Sequence, residues 1–359
     1  MTITSSRIRF MAVLICLLVA GVDQLAATSY TVRDIGSLRG GSAVARQINP
    51  NGAVVGVSGF PHGFKNHAFF WGPQTGIRDL GFLPSGNYSA AFAVNRSNQV
   101  VGEANTATAV RAFLWTASSG LKDLGALPAD NASRAFGIND AGQVVGYSSG
   151  PNGEHAFLWS SSTGMQNLGT LPGGNSSEAQ AINNSGQVAG FSTSSSGPHA
   201  FFWTSTSGMQ DIGVLPGDKQ SRAQSINSSG QVVGWSAGSG GTRAFLWSNN
   251  TGMQDISGLP GSTFTIAFAI NSSSQVVGIS NTSLGGRAFV WSGSTGIKDL
   301  NTMIPINSRL VLTSALGIND LGQIVAIGTV NADSGHFVDL DDPHHAALHI
   351  HVFVLTPSH

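Results

Sequence analysis

Disulfide bonding has no place in most of this 359-residue chain, because its only cysteine is Cys16. Charge is scarce as well: 17 basic and 18 acidic residues leave a formal net charge of −1. The basic residues are scattered, so there is no stripe to meet a nucleic acid or an anionic membrane, and neither partner is expected. After residue 27 glycine or serine clusters interrupt every apolar run, which excludes long amphipathic helices and membrane-spanning segments. Catalytic motifs are missing too. There is no Ser nucleophile elbow, no His-Glu-x-x-His pair and no glycine loop that would cradle a phosphate. No cofactor is expected.

What is present begins with an address. Arg7 and Arg9 precede an apolar run from Phe10 to Val22, and Ala26 and Ala27 stand before Thr28. This is the build of a secretory signal peptide over residues 1–27. Cys16 falls inside that run with bulky Ile15 before it, which argues against lipid attachment. The mature chain, residues 28–359, is expected to be a secreted or cell-surface monomer held together by packing and strand pairing.

The mature part is a repeat. Trp71, Trp115, Trp159, Trp203, Trp247 and Trp291 fall 44 residues apart, and a fixed period of about 20–50 residues signals a repeat architecture. Each repeat holds four short runs with strand character, for example SEAQAIN, GQVAGFS, HAFFW and GMQDIG between residues 177 and 213. Asn49, Asn95, Asn139, Asn183, Asn227, Asn271 and Asn319 open the turn after the first run. Three positions later stand Gly52, Asn98, Gly142, Gly186, Gly230, Ser274 and Gly322. Gly or Asn there predicts a positive φ, with strain at Ser274. The recurring glycines are read as turn residues.

The repeat count implies closure. The first three runs occur seven times, the third ending with VFVL at 352–355. The fourth run follows a third run only six times, and its seventh copy lies at the opposite end as YTVRDIG at 30–36. An all-β, seven-bladed β-propeller of four-stranded antiparallel blades explains the offset, with strand 30–36 completing the last blade from 313–319, 323–329 and 350–356. An open solenoid has no reason to split a unit this way.

The stretch HAFLWSSSTGMQNLGTLPGGNSSEAQAINNSGQVAGFS at 155–192 resembles the HAF-repeat family of exported, mostly bacterial proteins. The resemblance covers nearly the whole mature chain, including the atypical last copy with DLNTMIP at 299–305 and LTSALGINDLGQIVAIG at 312–328. It implies an exported repeat protein and carries no activity to transfer.

Several residue sets compete for a functional role. Alternation in His67-Ala-Phe-Phe-Trp71 puts apolar groups on both strand faces, so the tryptophans are expected to pack between blades rather than bind sugars. Trp235, outside that series, is expected to pack as well. A nitrogen donor precedes each third run: His67, Arg111, His155, His199, Arg243, Arg287 and His351. An acceptor recurs in each fourth run: Asp34, Asp79, Asp123, Asn167, Asp211, Asp255 and Asp299. One-to-one pairing within each blade is the expectation; a polar ring for an anionic ligand or sugar acid is the alternative. Loops between second and third runs vary most, at 58–66, 103–110, 148–154, 192–198, 236–242 and 280–286, and loops on a rigid scaffold concentrate binding residues.

The last of these loops, 329–349, is much longer and contains Asp339, Asp341, Asp342, His344, His345 and His349. The spacing matches no established metal motif, so no metal is expected; His344, His345 and His349 are the weak candidates. The non-repeated carboxylates Glu103, Glu154, Glu178, Asp130 and Asp218 belong to different repeats, and their spatial relation is open. The leading expectation is a non-catalytic module that binds a glycan, peptide or cell-surface partner through its loop face. A polysaccharide lyase or glycoside hydrolase and a purely structural surface protein are the rivals.

Overall fold

The computed structural model describes residues 29–40, 42–60, 63–330 and 350–358. The proposed signal peptide and the His/Asp-rich loop, with Asp339, Asp341, Asp342, His344, His345 and His349, lie outside the described residues. The fold is all-β. Every repeat makes an up-and-down meander of four antiparallel strands, typified by Ser177–Ile182, Val188–Ser194, Gly197–Thr204 and Gly208–Asp211. Five sheets have four strands; a sixth has eight, being two such meanders joined by the single parallel pair Thr242↔Phe264. One four-stranded sheet draws on both chain ends: Tyr30–Asp34 pairs with His351–Pro357, which pairs with Ile324–Val330 and then Leu310–Ile318.

Packing follows from the alternation along the third strand. Phe201 and its equivalents Phe69, Phe113, Phe157, Phe245, Phe289 and Phe353 are fully buried. Trp247 packs with Phe202 of the preceding sheet, their ring centroids 5.2 Å apart. Burying such an aromatic side chain contributes roughly 1.5–3 kcal/mol. Trp235 is half-buried rather than in the core, lying under the Arg222 guanidinium at 5.8 Å. Small serines stitch sheet to sheet: Ser221 Oγ accepts from the Ala200 amide of the preceding sheet at 2.9 Å and donates to the Gly213 carbonyl.

The turn asparagines form a circuit. Asn49 Nδ2 donates to the Asn95 carbonyl, and the same bond runs on through Asn139, Asn183, Asn227, Asn271 and Asn319. Asn319 then donates to the Asn49 carbonyl at 3.0 Å, across 270 residues of sequence. Each Oδ1 accepts from its own turn, so one buried amide both shapes the turn and ties it to the next sheet. Ser274 takes the predicted positive φ, 60°, in a turn like its equivalents.

Two expectations need correction. The stretches 148–154, 192–198, 236–242 and 280–286 are not loops but mostly paired strand, closed by two-residue hairpins such as 195–196. Serine and glycine content there masks ladders that run almost to the tip. The glycine of the second strand, Gly190 in its copy, is not a turn residue either. It sits in mid-strand opposite a bulge in the first strand, where register shifts between Ala179 and Ala181, and the bulged backbone leaves no room for a side chain.

Candidate functional site

The repeated donor–acceptor series pairs within its own sheet at six of its seven positions. His67 Nδ1 lies 2.7 Å from Asp79 Oδ2, His199 2.8 Å from Asp211, and His351 2.7 Å from Asp34. Arg243 Nη1 meets Asp255 at 2.9 Å, while Arg287–Asp299 and Arg111–Asp123 are looser at 3.6 and 3.9 Å. The second carboxylate oxygen caps the turn that follows, as where Gly213 N–H donates to Asp211 Oδ1 at 2.7 Å. Asn167 does the same for Gly169, which explains why an amide serves there. The His155 side chain makes no hydrogen bond to it or to any other described residue. With six of seven donors facing a carboxylate, the series has little field left for an anion.

The unrepeated charges are elsewhere. First strands line an axial cavity of about 370 Å³ through Arg46, Phe92, Phe136, Gln180, Gln224, Phe268 and Leu316. Two residues before these stand Val44, Ala90, Arg134, Glu178, Arg222, Ile266 and Ser314. Opposite them on the second strands are Val57, Glu103, Tyr147, Phe191, Trp235, Ile279 and Ile327. The first column is charged over three consecutive sheets and the second carries a carboxylate and three aromatics over four; elsewhere both are apolar or small.

There the side chains engage one another across sheets. Glu103 is buried; its Oε1 accepts from Tyr88 Oη at 2.7 Å. Arg134 Nε, from the next sheet, stands 2.6 Å from Glu103 Oε2 without an aligned N–H, so that oxygen has an ion pair but no hydrogen bond from the described residues. The Arg134 guanidinium also covers Tyr147, whose ring packs on Phe136 and through it on Phe92. Arg222 lies over Phe191 at 3.8 Å and over Trp235 at 5.8 Å.

The acidity of Glu178 is displaced toward neutrality. Burial, and then the charge of Glu154, push its carboxyl up to about 7, against the pull of Arg222 and Arg134. Burial likewise pushes the Tyr147 hydroxyl up to about 12, with Arg134 opposing it. The Tyr88 hydroxyl is raised by burial and by its bond to Glu103. The arrangement thus offers a carboxyl poised near neutrality, two phenols and two stacked guanidiniums at one end of the axial cavity. Chemically it can hold polar, ring-bearing ligands, and it can exchange a proton at Glu178.

A stability test follows from the raised Glu178 acidity. Below about pH 4.5 both folded and unfolded chains hold the proton. From there to about 7 the unfolded chain releases it first, so this group lowers stability as pH rises, and above 7 the cost is constant. Discounted for partial exposure, that cost is about 1–2 kcal/mol. Glu178→Gln is therefore expected to be more stable than the parent by about that amount in urea unfolding at pH 8, and indistinguishable from it at pH 4.

Of the non-repeated carboxylates, Glu103, Glu154 and Glu178 all act electrostatically on the Tyr147 hydroxyl. Asp218 does not; it pairs with Arg243 Nη2 at 3.0 Å. Asp130 Oδ2 is buried and accepts no hydrogen bond from the described residues. Arg134, Tyr147, Arg222 and Tyr88 escape a sequence reading focused on what recurs. Their signal is the reverse: two columns whose chemistry changes from copy to copy while the flanking columns stay fixed.

Among solved structures the chain is similar to virginiamycin B lyase from Staphylococcus aureus, with a TM-score of 0.54 and 12% identity over 92% of this chain and 99% of that one. It is similar to a prolyl endopeptidase, with a TM-score of 0.55 and 10% identity over 84% of this chain and 46% of that one. TolB from Acinetobacter baumannii gives a TM-score of 0.47 at 11% identity, over 67% of this chain and 61% of that one. The chain thus spans less than two-thirds of TolB and less than half of the endopeptidase. No family model and no curated protein matches it. The fold is a β-propeller. Propeller neighbours include both enzymes and binding proteins, so function has to be argued from the site.

Proposed function

We propose that this chain is an exported, seven-bladed β-propeller of the HAF-repeat type that binds a glycan at one end of its axial cavity. The observation that carries the reading is the contrast between two sets of charges. Repeated charges are matched within six of the seven repeats, whereas Glu103, Arg134, Glu178 and Arg222 converge with aromatic rings in one place without repeating. Polar groups fixed against ring faces suit a sugar, which presents hydroxyls at its edge and C–H groups on its face. Seven blades and a closed ring are supported by the asparagine circuit and by the pairing of Tyr30–Asp34 with His351–Pro357. Export is supported by the basic, apolar and small-residue order of residues 1–27; N-terminal sequencing of protein recovered outside the cytoplasm tests it.

The binding test is a glycan array with the purified chain, followed by titration of the best glycan against variants. Arg222→Ala and Glu178→Gln are expected to weaken binding at least about tenfold, the loss of one charge-assisted contact. His199→Asn, in the paired series, should leave it unchanged. Silence on glycans with capture of a peptide or a cell-surface protein would overturn the ligand class. A second reading, hydrolysis or elimination on a polysaccharide, is favoured by the near-neutral Glu178 beside Tyr147 and Glu154. Release of reducing ends or unsaturated products, lost in Glu178→Gln, would carry it.

A further inference from the structure

A cleft opens at the closing blade, where the repeat loses its tryptophan. At six junctions a third-strand residue of one blade packs on the tryptophan of the next, as Phe70 does on Trp115, Leu114 on Trp159 and Phe202 on Trp247. A fourth-strand basic side chain covers the ring at three of them: Arg33 lies 5.0 Å from the Trp71 centroid, Arg78 5.3 Å from Trp115, and Lys122 5.8 Å from Trp159. At the seventh junction both partners shrink. Leu355 stands where the tryptophan would be, and Val290 where Phe70, Leu114, Leu158, Phe202 and Leu246 stand in five other copies; the remaining copy also has a valine, Val354, but against Trp71. Tyr30, which has no third–fourth turn before it in this blade, joins that cluster from the side.

Tyr30 does not refill the space. A cleft of about 380 Å³ remains, lined by Tyr30, Val290, Trp291, Lys298 and Met303 together with a rim of serine, threonine and glutamine side chains, a volume within the usual range for small-molecule sites. Lys298 occupies the place that Lys122 holds above Trp159, and here it has neither an ion pair nor a hydrogen bond among the described residues. Tyr30 is only 3% exposed, yet its hydroxyl makes no hydrogen bond to any described residue. That hydroxyl is reached by solvent rather than sealed in the core, so it can donate to a ligand that enters the cleft.

We propose that this cleft binds a small planar aromatic carboxylate. The ring takes the place of the absent indole against Val290 and the Lys298 stem, and the carboxylate meets the Lys298 ammonium and the Tyr30 hydroxyl. This site is separate from the axial cavity and independent of what binds there.

Calorimetric titration of the full chain with indole-3-carboxylate tests the proposal, with neutral indole and acetate as companions. The carboxylate is expected to bind at least about tenfold more tightly than indole, and acetate not measurably. Lys298→Gln installs the residue found at the same place in the copies with Gln166, Gln210 and Gln254, and is expected to abolish the preference for the carboxylate. Leu355→Trp restores the repeat; it should eliminate binding of both aromatics and raise the thermal midpoint by filling the void. Should that variant fail to fold, Val290→Phe narrows the cleft from the facing strand and is expected to weaken binding likewise. Absence of binding by indole-3-carboxylate, unchanged binding in both filling variants, or a carboxylate preference that survives Lys298→Gln would each overturn the proposal.

Discussion

Asn319→Ala is expected to destabilise the protein by about 3 kcal/mol, as much as the same change at Asn139 in the interior of the sequence. Asn319 is 4% exposed. Its Nδ2 donates to the Asn49 carbonyl at 3.0 Å and to Gln323 Oε1 at 2.9 Å; its Oδ1 accepts from the Leu321 and Gln323 amides. Alanine removes all four bonds and strands buried partners, each costing about 1–3 kcal/mol when unsatisfied, with water from the adjoining polar cavity recovering a part. Asn139 has the same set of bonds: to the Asn183 carbonyl, to Gln143 Oε1, and from the Ala141 and Gln143 amides. In a closed ring the two positions are equivalent. In an open stack Asn319 would sit at a fraying end, and its replacement would cost far less than that of Asn139. Urea unfolding of the two variants distinguishes the cases, and a difference above about 1.5 kcal/mol would count against closure.

That circuit also marks how far the sequence can be read. Seven asparagines at the repeat period announce a turn, because an Asn side chain satisfies backbone groups two and four residues on and those positions are local. The bond to the next blade is not local, and nothing in a 44-residue period says which way Nδ2 points. The donor–acceptor series was legible for a similar reason. His67 and Asp79 sit on adjacent strands of one hairpin, so sequence spacing alone brings them together. By contrast, Glu103, Arg134, Glu178 and Arg222 come from four different blades, and whether they meet depends on ring curvature and on the bulge that turns each first strand toward the axis. Carboxylates could be named from the sequence; their companions could not. The hairpin loops were overestimated because a two-residue turn and a seven-residue loop have the same serine and glycine content here.

Gly190→Ala is expected to be among the most damaging single methyls in the chain, with the same change at its equivalents Gly102, Gly146, Gly234 and Gly278, at about 3–5 kcal/mol or outright failure to fold. A Cβ at Gly190 would overlap the Glu178 carbonyl oxygen and lie 2.9 Å from both Ala179 Cα and Phe201 Cε1. Two of the three obstacles are backbone of the bulged first strand, and the third is a fully buried ring, so none can swing away. The contrasting change is Gly208→Ala. Gly208 has φ 67° and nothing within 4 Å of its would-be Cβ, so alanine meets only the backbone penalty, about 1–2 kcal/mol. The pair separates two reasons for glycine that look alike in a repeat: one needs the conformation, the other the space. The crowded position also reaches the site, because the carbonyl it presses belongs to Glu178. Any Gly190→Ala protein that does fold must displace that segment, and glycan binding should fall with stability, whereas Gly208→Ala should bind as the parent does. Equal stability losses in the two variants would show that the bulge is not packed as tightly as the geometry requires.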